Sequence, residues 1–451
     1  MTEDAPGPGL ARPFSDRVVV LFLTSVVTAG VGIFNGFVLA RLLGPSAKGE
    51  YYLITLLPTT VMVLVQLGLP QAFNYYSAKG RTHRLTAKAL MLTAAIGLPA
   101  FAVTVLLLPW LRSAFLAELE PRQVILGLVT LPIALLATFT TGIVLGRQAV
   151  RWYAAVNITQ VIAYSVLLVI LVAMLGLGLP GALLIFLVTV TMQSAGFLIG
   201  SFRKTAAGPS GDEVSVRDLF RFGLRLYPGS MTHFFSYRAD VFMLAALLAE
   251  PSAPLGFYSM AVSMAEMVFF FPNAVGTLLF PHVAGSATED SARQVPMVSR
   301  VTLMVTAAFG VALVPVATVL IPTFLPAFVP ALAALYILLP GVVALSVTKV
   351  LAGYVSGLGR TGLTSSVHLG AFLLNVAVNL FFIPRFGILG AAAASLISYT
   401  VSSLAFSIIA ARLAHAHVLD FWLPRRSDIR FIQGTVVTLG RRVLRRSVDP
   451  A

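Results

Sequence analysis

Between Val18 and Ala411 the chain repeats one pattern: an unbroken apolar run, a short polar connection, then another apolar run. Each run is near the roughly 20 residues that a helix needs to cross bilayer hydrocarbon. The pattern predicts twelve spans, at residues 18–42, 51–76, 87–111, 123–146, 153–176, 180–201, 223–249, 256–281, 299–321, 331–356, 362–383 and 388–411. The runs are continuous and do not alternate, which excludes a β-barrel. Segments 51–76, 223–249 and 256–281 contain proline or polar residues and are expected to depart most from straight helix.

A repeat runs through the spans. LLGPSAKGEYY (Leu42 to Tyr52) matches LAEPSAPLGFY (Leu248 to Tyr258). Leu145-Gly146-Arg147 matches Leu358-Gly359-Arg360, and Pro180-Gly181-Ala182 matches Leu389-Gly390-Ala391. Each pair falls at the same place in a six-span half. The expected fold is therefore all-α and polytopic, with two pseudo-symmetric six-helix bundles around a central cavity. In this reading residues 18–201 form the first bundle, 202–222 a cytoplasmic linker and 223–411 the second bundle.

Composition agrees with the bilayer as solvent, since 58% of the 451 residues are hydrophobic and only 11% are charged. The net charge of +14 is concentrated in connections and tails. With the N-terminus inside, 24 of the 31 Lys and Arg residues fall on inside segments and five on outside ones. That bias predicts both termini in the cytoplasm. It also assigns the positive charge to topology and anionic lipid, with no nucleic acid as partner. Residues 1–17 read as a disordered cytoplasmic tail, too polar for a signal peptide. Residues 412–451 read as a basic amphipathic cytoplasmic tail at anionic headgroups, with Ile429, Ile432, Val436, Val443 and Leu444 as its apolar positions. There is no cysteine, so disulfides and thiolate chemistry are excluded.

Four charges fall well inside spans: Arg238, Asp240, Glu266 and Lys349. Each costs about 2.5–3.5 kcal/mol at a helix centre, so each should face a cavity or another charge. Arg238 and Asp240, two residues apart, point in different directions on a regular helix. A guanidinium holds phosphate or carboxylate bidentately and repels a cation, which favours an anionic substrate at Arg238. Asp240 and Glu266 are the candidates for coupling to H+ or Na+; the competing reading makes all four ion pairs between helices. Asn35, Gln66, Gln71, Asn74 and Asn273 could line the same cavity, or serve as interhelical hydrogen bonds. No catalytic residue, cofactor site or metal-ligand cluster is expected, and the outside connections are too short to hold an enzymatic domain.

Several stretches together carry a resemblance. They are Arg41-Leu-Leu-Gly-Pro-Ser-Ala-Lys-Gly-Glu-Tyr51, Gly68-Leu-Pro-Gln-Ala-Phe-Asn-Tyr-Tyr76, Tyr237-Arg-Ala-Asp240, Gly256-Phe-Tyr258 and Phe280-Pro281. Over roughly residues 15 to 412 the chain resembles the polysaccharide exporters of the superfamily that includes the multidrug-and-toxin exporters and lipid II flippases. The resemblance implies a flippase for undecaprenyl-diphosphate-linked oligosaccharide in a bacterial inner membrane, working by alternating access, with polysaccharide polymerase machinery as a further partner. It implies cavity cations that meet the anionic lipid-linked sugar, which would be Arg238, Lys349 and Arg41. Two alternatives share the fold: a cation antiporter, which typically has an acidic residue in an early helix, and a lipid II flippase, which usually has two more spans and more arginine early on. Here spans 1 and 2 carry no acidic residue, and span 1 has no charge before Arg41.

Overall fold

The computed structural model describes residues 12–81, 83–203, 213–270, 272–273, 275 and 288–430. Among them nine helical stretches are long and apolar enough to cross a membrane. Three of the twelve expected spans are not counted separately among these nine. Spans 1 and 2 run together as α1 (Arg12–Val65) but are two helices, joined across a kink at Gly44, whose φ of 74° is outside the helical range and open to glycine at little cost. The seventh span is helix α10 (Val216–Leu247), too rich in charge and polar groups to count by composition. The eighth begins as α11 (Ser252–Glu266) with a 3₁₀ turn at Met267–Phe269, and most of its expected remainder to residue 281 lies outside the described residues. The chain is a multi-pass, all-α membrane protein, and exposed side chains such as Leu106, Val311 and Val319 are those that lipid would cover.

Packing separates the chain into two compact units, residues 1–260 with 324–329, and residues 261–323 with 330–451. The first unit contains α1, α2 (Leu69–Ala78), α3 (Leu85–Leu92), α4 (Leu98–Leu106), α5 (Leu108–Ala114), α6 (Pro121–Leu128), α7 (Thr130–Gly146), α8 (Val150–Leu167), α9 (Gly178–Phe202) and α10. The expected irregularity of 51–76 is a break at Gln66–Gly68, where Leu67 and Gly68 both take positive φ. Glycine lets helices touch here. Gly142 and Gly146 of α7 meet the backbone of α2, where a Cβ would lie 2.4 Å from the carbonyls of Pro70 and Asn74. Gly196 and Gly200 of α9 accept the side chains of Val156 and Trp152 on α8 in the same way. The entry to α10 is anchored: Val214 and Leu219 are buried against Phe73 and Leu85, and Lys88 pairs with Glu213 at 3.0 Å.

The two copies of the repeated turn meet within this unit. A Cβ on Gly49 would sit 1.8 Å from the Ser252 carbonyl oxygen, and one on Gly256 would sit 2.0 Å from that of Pro45. Each turn thus offers a glycine to the proline-serine corner of the other. A second backbone contact joins Gly68 to Gly223, where Cβ atoms would lie 2.2 and 2.6 Å from carbonyl oxygens.

The second unit packs through hydroxyl and amide groups. Its helices include α12 (Thr288–Phe324, all but its last residue), α13 (Pro330–Gly357), α14 (Thr361–Phe386) and α15 (Ile388–Ala414). Ser403 bridges α15 to α13 through the Ala344 carbonyl (2.7 Å) and Thr348 (2.9 Å), and Asn375 of α14 reaches Ser398 (3.2 Å).

Beyond α15, residues 415–430 fold back onto the unit. Phe421 is fully buried, and Arg300 forms a fork with Asp428 through bonds of 2.6 and 2.9 Å, while also donating to the Asp420 carbonyl (2.6 Å). The start of the tail is therefore docked by a buried ion pair; the later apolar positions Ile432, Val436, Val443 and Leu444 lie outside the described residues. The Arg300 guanidinium holds the Asp428 carboxyl below its usual value of 3.8. The clamp is thus complete above that pH and fades as pH falls through the lower, folded value. Breaking it by Asp428→Asn strands a buried cation and should cost about 3–5 kcal/mol locally. Limited proteolysis at neutral pH should then cut at Arg425 or Arg426 readily in the variant and slowly in the parent.

Candidate functional site

Arg238 and Asp240 of α10 are each bonded to a tyrosine, and the two tyrosines are the equivalent residues of the repeat. Arg238 Nη1 donates to the Tyr52 hydroxyl (3.2 Å), and the Tyr258 hydroxyl donates to the Asp240 carboxylate. Asp240 also accepts from the backbone N–H of Val241 (2.9 Å). Asp240 and Tyr258 are buried, whereas Arg238 is half-buried. The glycine contact explains the arrangement. It brings the two turns together, and the tyrosine closing each turn reaches α10. The result places a cation and a carboxylate on different faces of one helix. The cation suits an anionic group, and the carboxylate, buried with a hydroxyl donor, suits a proton or a small cation.

The other expected residues are distributed. Asn35 is buried and works between helices, accepting from Ser165 (2.9 Å) and donating to the Val161 carbonyl (3.5 Å). Arg41 is exposed and donates to the Phe324 carbonyl (2.8 Å). Gln66 sits in the break between α1 and α2, its carbonyl accepting from Leu69 (2.9 Å). In the second unit, Lys349 lies 4.9 Å over the Phe269 ring, Glu266 closes α11, and Asn273 is exposed.

Asn74 and Gln71 lie elsewhere, in a cavity of about 790 Å³ inside the first unit. Its walls come from α1, α2, α7, α8, α9 and α10, and they add Asn157 and Gln193, which sequence reasoning did not single out. Gln193 donates to Asn157 (3.1 Å), and Asn157 donates to the Tyr153 carbonyl (2.8 Å). Tyr75 stacks on Phe222 with centroids 4.4 Å apart. Two isolated amides in separate apolar helices have no spacing that marks them, so only the fold brings them into view. Tyr52 and Tyr258 did carry a signal, their matched places at the ends of the repeat. Among the described residues no group of three or more His, Asp or Glu is placed to hold a metal ion.

Comparison with known proteins follows the same lines. The family model described as polysaccharide biosynthesis protein matches residues 15–286. A probable low-salt glycan biosynthesis flippase from Haloferax volcanii is 22% identical over 409 residues, which are 89% of this chain and 82% of that protein. Among solved structures, an inward-facing multidrug resistance MATE family transporter of the MOP superfamily has a TM-score of 0.72 at 14% identity, covering 88% of this chain and 98% of its own. The lipid II flippase MurJ in an inward closed conformation has a TM-score of 0.68 at 15% identity, covering 89% of each chain.

Proposed function

Because the chain belongs to the polysaccharide biosynthesis protein family, we infer that it is a flippase for lipid-linked oligosaccharide. The observation that carries the reading is the seat of Arg238, a half-buried cation fixed by Tyr52 within an apolar bundle. A guanidinium so placed suits the diphosphate of an undecaprenyl-diphosphate-linked glycan, the one strongly anionic part of such a substrate. Lys349 and Arg41 serve as further cations along the route, with Asn35, Gln66, Asn74 and Asn273 as its neutral polar positions. The protein works in a bacterial inner membrane with both termini cytoplasmic, exposing its site to one side and then the other. It hands the glycan lipid to polysaccharide polymerase machinery and performs no catalysis itself.

Asp240 and Glu266 couple the cycle to H+ or Na+. If Asp240 carries the proton, Asp240→Asn should abolish the response of transport to an imposed pH gradient while leaving gradient-free exchange. An unchanged response removes the coupling role. The function itself is tested in sealed vesicles holding the full chain and glycan lipid extracted from its host. Wild-type protein should render inner-leaflet glycan accessible to an external glycosidase; accessibility equal to that of protein-free vesicles would refute it.

A further inference from the structure

We propose that the cavity of the first unit is the binding site for the sugar portion of the substrate, separate from the Arg238 site. The proposal rests on the flippase reading and adds where the glycan sits. The cavity's about 790 Å³ falls within the roughly 300–1,000 Å³ of small-molecule sites. Its lining contains no Asp, Glu, Lys or Arg, so a charged ligand would lose its water there without an ionic partner. A purely hydrocarbon ligand fits no better. It would cover Gln71 and Asn74 and the groups of Asn157 and Gln193 that their own bonds leave open, at about 1–3 kcal/mol for each polar group left unsatisfied.

A carbohydrate satisfies both constraints. Its hydroxyls donate to and accept from amides, each of which has donors and an acceptor. Its C–H faces pack on rings, and Tyr75, Tyr153 and Phe186 line the same space. The edge of the cavity adds the complement to the remainder of the molecule. Lys79, immediately after α2, lies 4.5 Å over the ring of Tyr75, and Arg147, immediately after α7, is held by the Ser201 and Arg203 carbonyls at 2.7 and 2.8 Å. A neutral chamber with cations at its edge suits a neutral glycan that continues into a diphosphate. These are also the helix ends that carry the basic connections, the inside ends by charge bias, where a substrate is taken up.

The test uses full-length protein in membranes of its own host, so the native glycan lipid is the probe. The photo-crosslinker p-benzoylphenylalanine is placed in turn at Phe186 in the cavity, at Leu184 on the exposed face of the same helix, and at Tyr52 beside Arg238. After irradiation and mild acid release of the lipid, a glycan adduct should appear at 186 and be at background at 184. Gln193→Ala should lower the adduct at 186 about fivefold, the worth of one neutral hydrogen bond, while Thr191→Ala on the exposed face leaves it unchanged. Adducts equal at 186 and 184, equal loss in the two variants, or an adduct at Tyr52 alone would overturn the cavity's role and leave the flippase reading standing. Absence of glycan at all three positions would overturn both.

Discussion

Arg238→Ala is expected to reduce surface glycan to the level of a strain lacking the protein, with full-length protein still present in the membrane. The guanidinium is half-buried and bonded to the hydroxyl of Tyr52, a neutral partner. Removing it leaves the Tyr52 hydroxyl to find another partner, at about 1–3 kcal/mol. On the proposed function the diphosphate would lose its charge-assisted bonds, and a doubly ionised group has no cheap substitute for them in an apolar site. Arg238→Lys keeps the charge and loses the planar fork, so export should be intermediate, down about tenfold. Tyr52→Phe provides the control. It removes the hydroxyl bonded to Arg238 and keeps the cation, so it should weaken export less than Arg238→Ala does. Loss of folded protein in Arg238→Ala, measured by size-exclusion chromatography in detergent, would instead assign Arg238 to holding helices together.

Substitution of the glycines at the crossing of the repeats should have the second large effect. A methyl group at Gly256 would lie 2.0 Å from the Pro45 carbonyl oxygen, and one at Gly49 would lie 1.8 Å from that of Ser252. The obstacle in both places is backbone, which cannot rotate aside as a side chain does. Overpacking a tight contact costs about 1–3 kcal/mol when neighbours can adjust, and more when the main chain must move. Gly256→Leu should therefore separate the two turns and, with them, Tyr52 and Tyr258 from α10. Export should be lost together with a drop in thermal stability. Gly362→Leu, in open space on α14, should change neither. A Gly256→Leu protein with wild-type melting and export would show that the contact is incidental.

The span pattern was legible because lipid demands uninterrupted apolar length, and α13 to α15 follow their expected runs closely, while α12 begins well before its own. It misjudged continuity where single residues decide it. Leu67 and Gly68 end α1 inside an apolar run, whereas the parting of spans 1 and 2 at Gly44 falls where it was expected. The repeated PSA turns were visible as text, yet their mutual contact is tertiary and lies more than 200 residues apart in sequence. The same holds for Arg238 and Tyr52, separated by 186 positions. Arg300 read as one more basic residue of an inside connection, and only the fold supplies Asp428, 128 residues later, as its buried partner. Glycines four apart, at 142 and 146 and at 196 and 200, were a readable packing signal that composition alone does not weigh.

The sidedness of the glycan lipid in cells tests the central claim most directly. In a strain depleted of the protein, lipid-linked glycan should accumulate and should resist a glycosidase added outside spheroplasts. Restored wild-type protein should make it digestible, and Arg238→Ala should not. Accumulated glycan that is fully digestible without the protein would place translocation elsewhere and contradict the flippase reading.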